Sequence, residues 1–196
     1  MTTISQLQQK YMDVEREIAS LWPKSFARIC AACADICCRP HMADEVLDSD
    51  WLNAISQQAH GKWWRAARFS ECRALGSNGC MLQHGKPPFC YSFYCDRLLE
   101  CDNPHELVAN LFLSNILTAL CKMEKGLNLA ELAVDEWEKH RLEISARISQ
   151  AETHVGLVKQ FHMASGAEQA AIAFRMLVEM PGLLTASVRR ALLGAL

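Results

Sequence analysis

The clustering of cysteines is the feature that most constrains how this chain can fold. Eight of its ten cysteines fall into two short stretches, residues 30–38 and 72–95. The second stretch also holds three glycines and two prolines, which favour loops over regular secondary structure. Such a segment cannot be ordered by packing alone, so we expect bonds made by its thiols to tie it to the rest of the chain.

Composition narrows the class of protein. The chain has 196 residues, a net charge of -2 and 51% hydrophobic residues, which is enough for a core in a single domain spanning residues 1–196. The N-terminal residues lack the basic and apolar regions of a secretory signal, so we expect a cytoplasmic location and reduced thiols. Polar residues interrupt every apolar run before the ~18 positions that a membrane span needs. The acidic balance makes nucleic-acid binding an unfavoured function.

Apolar residues outside the cysteine-rich segment recur every three or four positions, which predicts an all-α fold. We expect a helical bundle at residues 103–196, with an irregular cysteine-rich segment at residues 30–101 inserted between it and an N-terminal helix. The two clearest stripes consist of Ile4, Leu7, Tyr11, Val14, Ile18 and Leu21 in the first helix and Ile144, Ile148, Ala151, Val155 and Val158 in a later one.

Capping and breaking residues set the expected helix bounds. Pro23 ends the first helix, and a short helix is expected from about Ala43 to His60. The remaining helices are predicted from Pro104 to Gly126, from a capping box of Asn128 and Glu131 to about Met163, from a capping box of Ser165 and Glu168 to Pro181, and from about Leu184 to Leu193.

The spacing of the cysteines indicates metal chemistry. Closely spaced thiolates let the backbone wrap a zinc ion or an iron–sulfur cluster. The long gaps of the second stretch differ from a zinc-finger repeat, and the vicinal pair Cys37 and Cys38 differs from a ferredoxin run. Eight thiols exceed the four that one tetrahedral zinc or one [4Fe–4S] cluster takes, so the surplus would support the ligands, bind a second ion or act in redox chemistry.

The segments CAACADICC at 30–38 and CRALGSNGCMLQHGKPPFCYSFYC at 72–95 together resemble the zinc- or iron-chelating cysteine-cluster family, often called YkgJ-like or CxxCxxCC. In the second stretch the family order is a Cys, a Gly-Cys pair, a basic residue with Pro, and two further Cys. Here Lys86 and Pro87 supply the basic-Pro element. The resemblance implies that the metal ligands are Cys30, Cys33, Cys37, Cys38, Cys72, Cys80, Cys90 and Cys95.

The first group departs from that family, because three residues rather than two precede the vicinal pair. The segment ACADICC is closer to the cysteine motif of the flagellin lysine N-methylases, which resemble an iron–sulfur, S-adenosylmethionine-dependent family. This resemblance favours [4Fe–4S] over zinc. The methylases are longer, and no Gly-rich loop after a strand supports an S-adenosylmethionine site in this chain.

Other residues have simpler interpretations. His41 and His84 lie near the cysteine groups, where we expect them to support ligands or face solvent, and the other five histidines are expected to be ordinary. Trp63 and Trp64 are expected to pack the cysteine loop rather than to stack bases. The acidic residues from Asp44 to Asp50 are expected to form a solvated face. Core positions are expected for Cys121, Met163, Met176 and Met180.

Three functional hypotheses follow. The leading one is a metal-binding cysteine-cluster protein whose site orders the middle of the chain. An enzyme for redox chemistry or methyl transfer would instead keep an open metal position. An interaction module would use the metal-held loop to dock a partner protein, and the two striped helices would allow a homodimer.

Overall fold

Helices dominate the described part of the chain, as the periodicity predicts. They are α1 (Ile4–Leu21), α2 (Asp50–His60), α3 (Pro88–Ser92), α4 (Pro104–Cys121), α5 (Arg141–Met163) and α6 (Gly166–Glu179), with 3-10 turns at Glu124–Gly126, Leu129–Glu131, Val134–Glu136 and Pro181–Leu183. The structure is a computed structural model, and it describes residues 2–21, 45–61, 75–76, 79–80, 82–92, 104–183, 185–186, 188–189 and 191.

Helix α5 organises the bundle by packing against α1, α4 and α6. The predicted stripes form these contacts. In α1, Leu7, Tyr11 and Ile18 are fully buried, and in α5, Ile144 and Ile148 are fully buried. Both stripes therefore serve packing within one chain, and a homodimer through them would require the bundle to separate.

Helix α4 is apolar on almost every side and lies between α3 and α5. Its side chains Phe112, Leu113, Ile116 and Leu117 are at most 1% exposed. A helix that is apolar all round needs cover on all sides, which explains its central position. None of the helices described here has the combination of length and apolar character that crossing a bilayer requires.

An aromatic junction joins α1, α2 and the connection that follows α4. The fully buried Trp51 of α2 meets Tyr11 of α1 at 6.1 Å between ring centroids, and meets Trp137 at 5.3 Å. Both contacts are edge-to-face, with interplanar angles of 79° and 86°, an arrangement that aromatic rings favour. The indole N–H of Trp137 also donates to the carbonyl of Leu132 at 3.2 Å.

The end of α4 differs from the prediction. The helix ends at Cys121 rather than at Gly126, because the chain reverses on two consecutive left-handed residues, Lys125 (φ 57°) and Gly126 (φ 77°). A hydrogen bond from Met123 N–H to the Leu127 carbonyl, 2.9 Å long, closes this reversal. The prediction of Gly126 as the helix cap is therefore wrong, because this glycine forms a turn five residues after the helix ends.

The capping signal at Asn128 is real but opens a shorter element than predicted. The Asn128 side-chain Oδ1 accepts from Ala130 N–H, and the side-chain Nδ2 donates to the Glu131 carboxylate, both at 3.1 Å. This box caps the 3-10 turn Leu129–Glu131, and the long helix begins ten residues later at Arg141. The intervening chain turns Leu132 and Trp137 into the core, so tertiary burial overrides the local helix signal.

Other boundaries were predicted more closely. Ser49 interrupts the helix expected from Ala43, because its hydroxyl accepts from Leu52 N–H at 3.1 Å and caps α2 at Asp50. The end of α5 at Met163 and the start of α6 after Ser165 match the prediction, although the Ser165 side chain makes no capping bond.

Two further expectations were wrong. Met163 is 79% exposed rather than buried, since it lies in the last turn of α5 beyond the packed stripe; Met176 and Met180 are in the core, as expected. The segment predicted to be a loop contains two antiparallel strands of two residues each, β1 (Leu75–Gly76) and β2 (Gly79–Cys80). Leu75 pairs with Cys80 and Gly76 with Gly79.

Substituting Trp51 should reveal how much the aromatic junction stabilises the bundle. We expect Trp51→Ala to lower the free energy of unfolding by about 3–5 kcal/mol, because it leaves a large cavity between three elements. Urea denaturation measures this change. Leu142→Ala is the matched control, since Leu142 is 77% exposed and should change stability by less than about 0.5 kcal/mol. Equal losses of stability in the two variants would contradict the proposed contribution of the aromatic junction.

Candidate functional site

The structure describes two of the eight predicted metal ligands. Cys80 lies in β2 and Cys90 lies in α3. Cys30, Cys33, Cys37, Cys38, Cys72 and Cys95 lie outside the described residues, as do His41, Trp63 and Trp64. Within the ranges that the structure does describe, no three His, Cys, Asp or Glu side chains come together as a metal-binding group.

Cys90 lies on the outer side of a short helix whose inner side is firmly packed. The backbone N–H of Cys90 donates to the Pro87 carbonyl at 2.9 Å, and α3 packs against α4. Cys90 is exposed, whereas the next residue, Tyr91, is 5% exposed. The packing of Tyr91 thus fixes the helix that carries the Cys90 thiol at the surface.

A buried carboxylate on α1 anchors this part of the cysteine-rich segment. Glu15 is 0% exposed, and both of its oxygens accept from the Gly85 N–H, at 2.9 and 3.0 Å. One of the same oxygens accepts from the Tyr91 hydroxyl at 2.8 Å. Burying a carboxylate is unfavourable unless donors replace its water, and the loop supplies these donors. Glu15 therefore connects α1 directly to Gly85, which lies between Cys80 and Cys90, and to Tyr91, which follows Cys90.

His84 gives the same carboxylate a further polar neighbour. Its Nδ1 lies 3.6 Å from a Glu15 oxygen, and the side chain is 14% exposed. This separation is too long for a good hydrogen bond, and Nδ1 has no hydrogen-bond partner among the described residues. In this geometry His84 faces the buried Glu15 rather than open solvent, whereas a role in supporting metal ligands stays a prediction.

His60, at the end of α2, holds the backbone of the same loop. Its Nε2 accepts from the N–H of Gln83 at 3.1 Å and from the N–H of His84 at 3.2 Å. An imidazole nitrogen accepts only when it carries no proton, so the geometry requires the neutral ring. Burial lowers the pKa of His60, which favours that neutral form. The rings of His60 and His84 also stack, with centroids 6.3 Å apart.

Gly85 allows the loop to lie directly on α2. Its φ is +70°, and a Cβ at this position would lie 2.7 Å from the Leu52 carbonyl oxygen and 3.0 Å from the Ser56 nitrogen. Any side chain would push the loop away from α2 and from Glu15. Close backbone approach explains why glycine stands between His84 and Lys86.

Lys86, the basic residue of the predicted motif, also contacts the anchor. Its ammonium group lies 5.4 Å from the centroid of the Tyr91 ring. This is a cation–π distance, so the lysine covers the aromatic ring whose hydroxyl binds Glu15. Lys86 therefore has a structural contact within the described part of the segment.

Cys121 has the role of a buried small hydrophobe, as predicted. It is 1% exposed, and its Sγ lies 3.9 Å from the Tyr11 hydroxyl. Burial raises the pKa of Cys121 to about 12, and burial together with the nearby Cys121 and Glu15 raises that of Tyr11 well above its usual value. Both groups therefore stay protonated at neutral pH, as expected for side chains enclosed in the core.

Sequence reasoning missed Glu15 and His60. A signal for Glu15 was present, because it lies four residues after Tyr11 and three before Ile18, at the edge of the apolar stripe of α1. A carboxylate at the edge of a buried stripe needs a partner. His60 carried no comparable signal, since its partners lie 23 and 24 residues away and are backbone groups.

Comparison of the chain with protein-family models, with curated proteins and with solved structures finds no match. The geometry of the site and the chemistry of its residues therefore carry the functional argument.

Gly85→Ala tests the contact between loop and bundle. We expect it to lower the free energy of unfolding by about 1–3 kcal/mol more than Gly126→Ala does, because the added methyl group overlaps α2. Gly126 is the matched control: it also has a positive φ, of 77°, but its Cβ would meet nothing within 4 Å. Both variants share a backbone cost of about 1–2 kcal/mol. Chemical denaturation measures the difference, and equal losses would argue against a close loop contact.

The neutral His60 predicts a pH dependence of stability. Because the folded pKa is lowered, the unfolded chain binds more protons, so stability is complete above the ordinary value of 6.5 and falls as pH drops toward the folded pKa. His154, also shifted downward by burial, adds to this loss. We expect the free energy of unfolding of His60→Gln to fall less between about pH 7 and 5, because glutamine accepts through an oxygen that does not titrate.

The free energy of unfolding, measured between about pH 7 and 5 with His162→Gln as the control, should isolate the contribution of His60 to this pH dependence. His162 is exposed, so its variant controls for the replacement of a histidine by glutamine outside the loop contact. If the curve of His60→Gln runs parallel to that of the parent chain, His60 does not take up a proton on unfolding.

Proposed function

We propose that this chain is a metal-binding protein whose cysteine-rich segment holds a zinc ion or a [4Fe–4S] cluster. The donors are the thiolates expected from the motif: Cys30, Cys33, Cys37, Cys38, Cys72, Cys80, Cys90 and Cys95. Thiolate is the ligand type that both centres prefer, so the donor set fits either one. Zinc would supply a structural cross-link here, whereas an iron–sulfur cluster would also supply redox chemistry.

The observation that carries the proposal is the Glu15 anchor. Glu15 binds Gly85 and Tyr91, and these two residues lie between and beside two of the expected ligands. Metal centres need ligands on supported backbone, because a loosely held ligand loses affinity. The bonds from His60 to the loop N–H groups give a second point of support. The helical bundle thereby supports residues 82–92 of the second cysteine stretch.

The exposure of Cys90 is consistent with this role. A structural cysteine is commonly buried like Cys121, whereas Cys90 lies at the surface of a helix whose other side is anchored. A metal bound at this surface position would join α3 to other segments of the chain. Cys90 is therefore the ligand candidate to be tested, and the buried Cys121 is its control.

Metal analysis of anaerobically purified protein tests the proposal. Iron with an equal amount of labile sulfide and broad visible absorbance would identify a cluster, and zinc without colour would identify a structural zinc site. Absence of both, with paired oxidised thiols in the native protein, would reject the metal centre.

Substitution of Cys90 should lower metal content. We expect Cys90→Ala to bind markedly less metal than the parent chain and to unfold at a lower temperature, because one bond to the centre is lost. Cys121→Ala should keep the parent metal content. Metal quantified per chain and thermal unfolding check both variants; unchanged stoichiometry in Cys90→Ala would remove Cys90 from the ligand set.

A further inference from the structure

Helix α6 has a second apolar face opposite the one that packs on the bundle. Ile172, Ala173 and Met176 form the buried face. On the opposite side, exposed residues recur in steps of four, three and four. They are Ala167, Ala171, Phe174 and Val178, here called the α6 stripe. Phe174 is 65% exposed and Val178 is 61% exposed. A helix with two apolar faces is expected to be covered on both.

We propose that the α6 stripe binds the α6 stripe of a second copy of this chain, with the two helices antiparallel. A symmetric contact requires a surface that is complementary to itself. A two-fold axis midway between Ala171 and Phe174 places Phe174 of each copy against Ala171 of the other. The same axis places Val178 against Ala167. Each large side chain therefore meets a small one, which is the packing that lets two helices approach closely.

Charge along one edge of the stripe favours the same arrangement. Glu168 and Arg175 are exposed and lie two helical turns apart on that edge. In the antiparallel pair, Glu168 of one copy and Arg175 of the other are separated by only about 3 Å along the axis, and symmetry repeats the pair. Within one copy, Arg175 forms a salt bridge with Glu179 at 3.1 Å. Both side chains are over 40% exposed, so this salt bridge contributes little and can be replaced by one to Glu168 of the second copy.

A parallel arrangement is disfavoured by the same residues. It would set Phe174 against Phe174 and leave the alanines facing each other. It would also put the charged edges of the two copies on opposite sides of the contact, where Glu168 of one copy cannot reach Arg175 of the other. An interface made by one helix from each copy lies at the small end of specific contacts. We therefore expect a reversible dimer whose population depends on concentration.

Analytical ultracentrifugation of the full chain tests the proposal. The apparent mass should rise from 22.0 kDa toward twice that value as concentration increases. Phe174→Glu should raise the dimer dissociation constant at least ~10-fold, because it places a charge in the centre of the contact. Leu142→Glu is the control: Leu142 is 77% exposed but lies on α5, so its variant should associate like the parent. Thermal unfolding of dilute protein should give the same midpoint for Phe174→Glu and the parent.

A charge exchange distinguishes a second copy from another partner. Glu168→Arg and Arg175→Glu should each weaken the dimer, and the double variant should restore it, since the exchanged pair is again complementary. A constant mass of 22.0 kDa across micromolar to millimolar concentrations would overturn the proposal. An unchanged dissociation constant in Phe174→Glu, or failure of the double variant to recover, would also overturn it.

Discussion

The buried carboxylate of Glu15 is the interaction on which the described cysteine-rich segment depends. An isolated carboxylate inside a protein is strongly unfavourable, so its position is tolerable only when donors surround it. Those donors are the N–H of Gly85 and the hydroxyl of Tyr91, which lie 70 and 76 residues away in the sequence. Because α1 is fixed by its packing on α5, the carboxylate sits at a defined place and sets the position of the loop.

Two further contacts act on the same short loop. His60 accepts from two successive N–H groups, and Gly85 lies against the backbone of α2. Removal of Glu15 would leave the buried Gly85 N–H and Tyr91 hydroxyl without their bond to the carboxylate, and a side chain at position 85 would force the loop away from α2. Residues 82–92 are thus supported by contacts within the protein. In the proposed metal centre, Cys90 would lie on this supported backbone, which would lower the ordering cost of binding.

The two long striped helices could be predicted because their signal is local and repeated. The stripe of α1 and that of α5 are each read from residues within one helix, and burial confirms both. The end of α4 and the start of α5 could not be predicted in the same way. There, Asn128 forms its capping box and Gly126 takes a positive φ, as expected for such residues, but the elements they serve are decided by where Leu132 and Trp137 are buried. Capping and turn residues indicate where a turn occurs, but they do not specify which secondary-structure element follows it.

The sequence by itself determined the all-α character, the apolar stripes of α1 and α5, and the concentration of thiols in two stretches. These properties follow from residue type and spacing, which are fixed before folding. The tertiary structure decided which polar groups meet. Glu15 and His60 become an anchor only because folding of α1 and α2 brings them beside residues 83–91. Hydrogen bonds between distant groups have no period in the sequence, so packing of the helices alone sets their partners.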